Sequence, residues 1–408
     1  MSNLLWPGDH RAGEHMTDEA LLGSMIAVEC AWLDALAAAG LAPADCAEAK
    51  LWNLVTHNDC ESIAVTAEDG GNPVIALVTL LRQRAESGIA PWIHRGLTSQ
   101  DVLDTSLMLA VRAVADDVTT ELRQQISTLS ELAAEHRGTP MVARTLTQHA
   151  APTTFGVKAA SWLNGIVDAF ERVTALTTPI QIGGAAGTLA ATTELAALLT
   201  GTTDAAGVSL HLVHSAATTL GLHDRPAWHT ARAPITAAAD TFVGCTDAWG
   251  RIASDIVTLA RPEIDELNEP ATGDRGGSSS MPHKRNPVLS ILIRRAAIAA
   301  PPLASTLHTA AALANDERPD GAWHAEWDTL RTLARRTVVA GSESSELLAG
   351  LTVHAQRMAE NLTAADVSGE QSAIAELVDK EPSSAYLGAA ENLIDESLGR
   401  AARVLAQR

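Results

Sequence analysis

Twelve consecutive residues, GGSSSMPHKRNP from Gly276 to Pro287, concentrate the reactive side chains of this chain. Gly276 and Gly277 admit backbone conformations closed to other residues. Ser278, Ser279 and Ser280 supply three hydroxyls in succession. His283, Lys284 and Arg285 follow with positive or protonatable groups, and Asn286 is restrained by Pro287. A loop with hydroxyls at its tip and positive charge at its base suits proton transfer on a carboxylate-rich substrate. Composition alone also allows an ordinary Ser/Gly surface loop followed by a solvated basic patch. Three other segments carry polar groups that a helical core would not choose: His94 to Asp101, Arg144 to His149, and Trp228 to Arg232. Together they offer His94, Thr98, Ser99, Arg144, Gln148, His149, His229 and Arg232. Their cations suit two or three carboxylates, and their hydroxyls and amides can orient them. For any one of these residues taken alone, a cap or a surface position is the ordinary role.

These residues need a scaffold, and composition says which kind. The chain has 408 residues, 46% of them apolar but only 3% aromatic, with Ala and Leu dominant. That balance favours packed helices over sandwiched strands. The length exceeds one compact core. We divide it into an N-terminal helical domain (1–101), a central long-helix bundle (102–350) and a shortened C-terminal helical domain (351–408). Apolar residues recur at helical spacing from Leu21 to Leu36, behind an N-cap at Thr17. They recur again from Val102 to Leu132, a run that predicts one very long helix ending near Gly138. Further helices are expected at 154–177, 188–201, 208–221, 235–262, 288–314 and 325–349. Each polar segment falls at the end of a helix or at a break. The stretch 139–152 reads as irregular, and strand signals are almost absent. PIQIGGAAG (179–187) lacks the spacing of a phosphate loop and reads as a close helix contact or bend.

A net charge of −20 argues against nucleic acid or an anionic membrane as partner, though not against a small anion held by local positive charge. Cys30, Cys46, Cys60 and Cys245 show neither CxxC spacing nor histidines at zinc spacing, so they read as reduced thiols. The N-terminus lacks a basic region followed by an apolar run. No segment approaches ~18 uninterrupted apolar residues. The expectation is a cytoplasmic protein with no membrane span.

GGSSSMPHKRNP closely resembles the signature loop of the fumarase/aspartase superfamily, roughly GSSxMPxKxN, in the form found in its adenylosuccinate lyase-like branch. HRGLTSQD (94–101) is similar to that branch's first shared region. The resemblance implies an all-α fold built on a long-helix bundle. It implies a homotetramer whose sites are shared between subunits, acting without metal or organic cofactor. It further implies that Ser278 handles a proton on carbon and that Lys284 and Asn286, with Ser279, bind a substrate carboxylate and steady the charged intermediate. Thr98 and Ser99, beside His94, would hold another carboxylate, with Arg144, Gln148 and Arg232 as further ligands.

In the second shared region, lyases of the superfamily that expel an amine carry Arg-Thr-His-x-Gln, the histidine serving as acid. Here the residues are Arg144, Thr145, Leu146, Thr147 and Gln148, followed by His149. That histidine usually has a glutamate partner after the loop, and Val288 to Leu292 contain no carboxylate. An expelled amine must be protonated, whereas a carboxylate is already a stable anion. Loss of the acid pair therefore points to a carboxylate adding to a carbon–carbon double bond, as in the 3-carboxy-cis,cis-muconate cycloisomerase group. ARTLTQHAAPTT (143–154), GGAAGTLAA (183–191), AWHTAR (227–232) and WHAEW (323–327) resemble that group's patterns. The expected reaction closes one carboxylate of a tricarboxylate onto a diene to give 4-carboxymuconolactone. His149 would contact substrate without an assigned proton. One alternative is a related lyase releasing nitrite, or an amine, from a succinyl-type substrate to give fumarate. Another is a catalytically silent structural protein. Two departures stand out: Ala143 replaces a glycine, and Ala231 to Pro234 keep a single arginine where two are expected.

Overall fold

A computed structural model describes residues 3–270, 275–277, 280–281 and 284–406. Ser278, Ser279 and His283 lie outside the described residues. The architecture is set by helix α4, Ser99–Glu135, which runs for 37 residues. At ~1.5 Å per residue it is about 55 Å long. Its N-terminus is closed by a capping box between Thr98 and Asp101. Val102, Leu107, Val111, Val118, Leu122, Ile126 and Leu129 then line one buried face. Four further helices pack along it or along one another: α5 (Phe155–Thr174), α8 (Ala233–Leu259), α9 (Val288–Ala312) and α10 (Gly321–Ala349).

These five helices form the expected bundle, within a few residues of the predicted ranges. Trp162, Trp249, Phe155 and Phe242 are fully buried in it, and each indole finds a polar partner. Trp249 donates to Gln125 at 2.7 Å, and Trp162 donates to Asp255 at 2.8 Å. Helices α8 and α9 touch closely: a Cβ on Gly250 would lie 2.4 Å from that of Ala297.

The N-terminal elements surround one end of the bundle. Helix α1 (Asp18–Ala38), N-capped by Thr17 as expected, packs on α4 and on α7 (Ala205–Leu220). Helices α2 (His57–Gly70), α3 (Pro73–Arg84) and α6 (Ala190–Thr200) complete that end. Helices α11 (Ala355–Ala364) and α12 (Gly369–Leu377) follow the bundle. Helix α13 (Ala390–Ala406) then returns to pack against α4 and α5. By length and composition α1 and α9 could cross a membrane, yet both are packed into this framework.

The expectation that 139–152 is irregular is corrected. Strand β1 (Pro140–Thr145) pairs antiparallel with β2 (Gln148–Thr154), placing Arg144 opposite His149. The two-residue turn is formed by Leu146 and Thr147 at φ 48° and 72°. Both angles are left-handed, as the tight hairpin turn requires. The usual turn residues Asn and Gly are missing, so the sequence did not announce it. A second short pair joins β3 (Leu267–Asn268) to β4 (Thr352–Val353).

Candidate active site

The chemistry-bearing segments gather at the two ends of the bundle. At the N-terminal end of α4, Asp101 works as a hub. Its carboxylate accepts the backbone N–H of Thr98 at 3.0 Å, those of Gly183 and Gly184 at 2.9 Å each, and contacts His229 Nε2 at 3.1 Å. Thus HRGLTSQD, the Gly-rich stretch and AWHTAR meet in one protomer. A Cβ on Gly183 would lie 2.6 Å from that of Ala227, so the Gly-rich stretch serves close packing, as the sequence suggested. His94 sits at φ 61° and is hydrogen-bonded through Nδ1 to buried Glu29 at 2.6 Å. Thr98 and Ser99 are half-buried at the positive end of α4. An exposed guanidinium that sequence reasoning passed over, Arg318, donates to the Thr98 hydroxyl.

Arg232 has a different setting from the one expected. Its side chain is fully buried and forks between Asp104 (2.6 and 3.0 Å) and Glu326 (2.5 Å). Trp323 of the WHAEW string donates its indole N–H to Asp104 at 2.9 Å. Burial pushes the Glu326 carboxyl up, against the pull of Arg232. This network neutralises Arg232 inside the protomer and ties α4, α8 and α10 together, so Arg232 reaches no surface in this chain.

The opposite end carries the hairpin and the base of the serine loop. Arg144 makes a two-pronged pair with fully buried Glu266 at 3.0 and 2.7 Å, and Asn361 donates to the same carboxylate at 2.8 Å. Arg144 is therefore held by an internal partner too. Gln148 and His149 are exposed, and Leu146 at the tip is 96% exposed. A cleft of about 540 Å³ beside the hairpin is lined by Arg144, Thr147, His149, Lys158 and Arg261 among others.

Below the loop, Glu269 accepts the N–H groups of Leu289 (3.0 Å) and Ser290 (2.7 Å), capping α9 from outside the helix. Asn286 closes the loop: its backbone N–H and its side-chain amide both donate to the Gly276 carbonyl, at 2.8 and 3.1 Å. Gly276 stands at φ 77°, and a Cβ there would lie 2.5 Å from the Asn286 carbonyl oxygen, so only glycine fits. Lys284 is exposed.

One protomer thus brings Arg144, Gln148, His149, Lys284 and Asn286 towards one end of the bundle and His94, Thr98, Ser99 and Arg318 to the other. Among the described residues, no group of three or more His, Cys, Asp or Glu side chains is arranged to hold a metal ion.

Residues 15–300 match a family model described as "Lyase". The chain is 42% identical over 368 residues to a nitrosuccinate lyase of Streptomyces davaonensis, covering 87% of this chain and 75% of that one. It is 38% identical over 358 residues to a 3-carboxy-cis,cis-muconate cycloisomerase of Bradyrhizobium diazoefficiens, covering 85% and 76%. The crystal structure of the 3-carboxy-cis,cis-muconate lactonizing enzyme from Pseudomonas putida superposes with a TM-score of 0.84 at 28% identity, covering 97% of each chain.

Proposed function

The chain belongs to the fumarase/aspartase superfamily of lyases, and on that premise we propose that it eliminates an anion from a succinate-type polycarboxylate without a general acid. The observation that carries this reading is the hairpin tip. Where amine-expelling lyases place their acid, this chain presents aliphatic Leu146, and the first turn after the loop presents Ile291, 48% exposed, with no carboxylate. A leaving group at that position must depart as a stable anion.

Nitrosuccinate meets the requirement. The Ser278 oxygen takes the proton from the methylene carbon. Those C–H electrons form the carbon–carbon double bond, and the C–N electrons leave with nitrite, giving fumarate. While negative charge grows on the carbon and its adjacent carboxylate, Lys284 and the Asn286 amide supply fixed positive charge and hydrogen-bond donors. Thr98, Ser99 and Arg318 hold the second carboxylate. Because Arg144 and Arg232 are already paired with Glu266, Asp104 and Glu326, this reading assigns neither of them to a third carboxylate. The likeness to nitrosuccinate lyase supports the same choice.

The second reading is lactonisation of 3-carboxy-cis,cis-muconate. It is favoured by the four sequence patterns and by the likeness to the lactonizing enzyme. Its attacking carboxylate needs no acid at the hairpin tip, and the proton gained by the neighbouring carbon would come from the Ser278 hydroxyl. In either case Thr98 and Lys284 reach one substrate only when copies of the chain assemble, since α4 holds them apart within a protomer.

The test is to offer both substrates to the purified chain. Nitrite and fumarate should appear in equal amounts from nitrosuccinate, and Ser278→Ala should abolish both. Lys284→Met should slow turnover about 10²–10³-fold. Loss of the diene absorbance without nitrite release would replace the first reading by the second. A folded protein inert towards both would remove the catalytic claim.

A further inference from the structure

Two arginines from distant parts of the chain converge on one carboxylate at the base of the serine loop. Glu346 lies in the last turn of α10. Arg275, immediately before Gly276, donates to its Oε1. Arg11, in the short helical turn Asp9–Ala12, donates to its Oε2 at 2.5 Å and to Ser342 at 3.1 Å. All three side chains of the triad are only 21–28% exposed. Burial works against an ionised Glu346, but the hydrogen bonds from Arg275 and Arg11 outweigh it and hold the carboxyl below its ordinary value. The N-terminal segment is itself pinned along α10, where Arg335 donates to the carbonyls of His15 (2.6 Å) and Gly13 (3.4 Å) and to the Asp9 carboxylate (3.2 Å).

These contacts form a chain of constraint. Helix α10 is a rigid element packed against α4, α8 and α9. Glu346 fixes Arg275 to it, Arg275 precedes Gly276, and the Gly276 carbonyl receives both donors of Asn286. Lys284 lies two residues before that closure.

We infer that Glu346 is the positioning residue of the serine loop, and that Arg11 steadies it through the shared carboxylate. Its role is indirect: it touches no reacting atom but sets where Asn286 and Lys284 stand. The catalytic part of this inference rests on the reading of the loop given above, whereas the anchoring part does not.

The experiment separates the two. Wild type, Glu346→Gln and Glu346→Asp are digested with trypsin under native conditions, and cleavage after Lys284 or Arg285 is followed by mass spectrometry. Glu346→Gln should be cut at those bonds at least tenfold faster, with the rest of the chain unchanged, and Glu346→Asp should return most of the protection. With the substrate that turns over, Glu346→Gln should lower kcat at least tenfold with KM within about threefold. Should Glu346→Gln fail to fold, Arg275→Gln leaves Glu346 paired with Arg11, removes only the loop side, and should give the same faster cleavage. Unchanged cleavage in a folded variant overturns the anchor whatever the substrate is. Faster cleavage with unchanged kcat overturns the positioning role and leaves the functional reading intact.

Discussion

Glu343 is 1% exposed, one helical turn before Glu346 and within reach of the charges of Arg295, Arg11 and Arg275. Burial outweighs those arginines and pushes its carboxyl up to about 7. The linkage follows from that value. Below the ordinary glutamate range both the folded and the unfolded chain hold the proton, and above about pH 7 neither does. In between, only the folded chain holds it, so stability falls as pH rises through that window. The loss is at most about 3–4 kcal/mol, since one pKa unit is ~1.4 kcal/mol. Glu343→Gln cannot ionise, so its urea midpoint relative to wild type should be higher at pH 7.5 than at pH 5. The same offset at both pH values would show that Glu343 does not carry this slope. None of this was legible from the sequence, since Ser342 to Glu346 include no apolar residue that would mark a buried face. Only packing against Gly8 and the arginines reveals the burial.

At the scale of elements, the bundle helices were legible because one face of each repeats apolar residues at helical spacing over many turns. The hairpin was not, because its strands are short and its turn uses Leu146 and Thr147 in left-handed conformations that such residues rarely adopt. Of the candidate site, the sequence shows which polar segments stand at helix ends and breaks, but the internal partners of Arg144 and Arg232 lie roughly a hundred residues away in sequence and carry no local signal. Those partners turn an expected substrate ligand into a joint between helices. Arg232→Met leaves Asp104 and Glu326 buried without their counter-ion and should cost about 3–5 kcal/mol of stability. Denaturant titration measures this. Undiminished stability with a raised KM would return Arg232 to the substrate.

At the scale of the whole molecule, α4, about 55 Å long, sets the Thr98–Arg318 cluster and the Lys284–Asn286 loop towards opposite ends of the bundle. On the reading proposed above, a complete site draws each cluster from a different copy of the chain. Arg318→Glu and Lys284→Met should each turn over at least about a hundredfold more slowly alone. Co-expressed, they should form mixed assemblies with activity above either parent, because some sites then combine two intact ends. Absence of recovery in verified mixed assemblies would mean that one copy supplies the whole site. The length of α4 also has a consequence in mass action. If copies share the site as proposed, a separated protomer holds only part of it, so specific activity should fall on dilution, and circular dichroism at the same dilutions should show helicity unchanged. Inside a cell, output would then rise more steeply than the number of chains made, and scarcity would silence the reaction before any molecule unfolded.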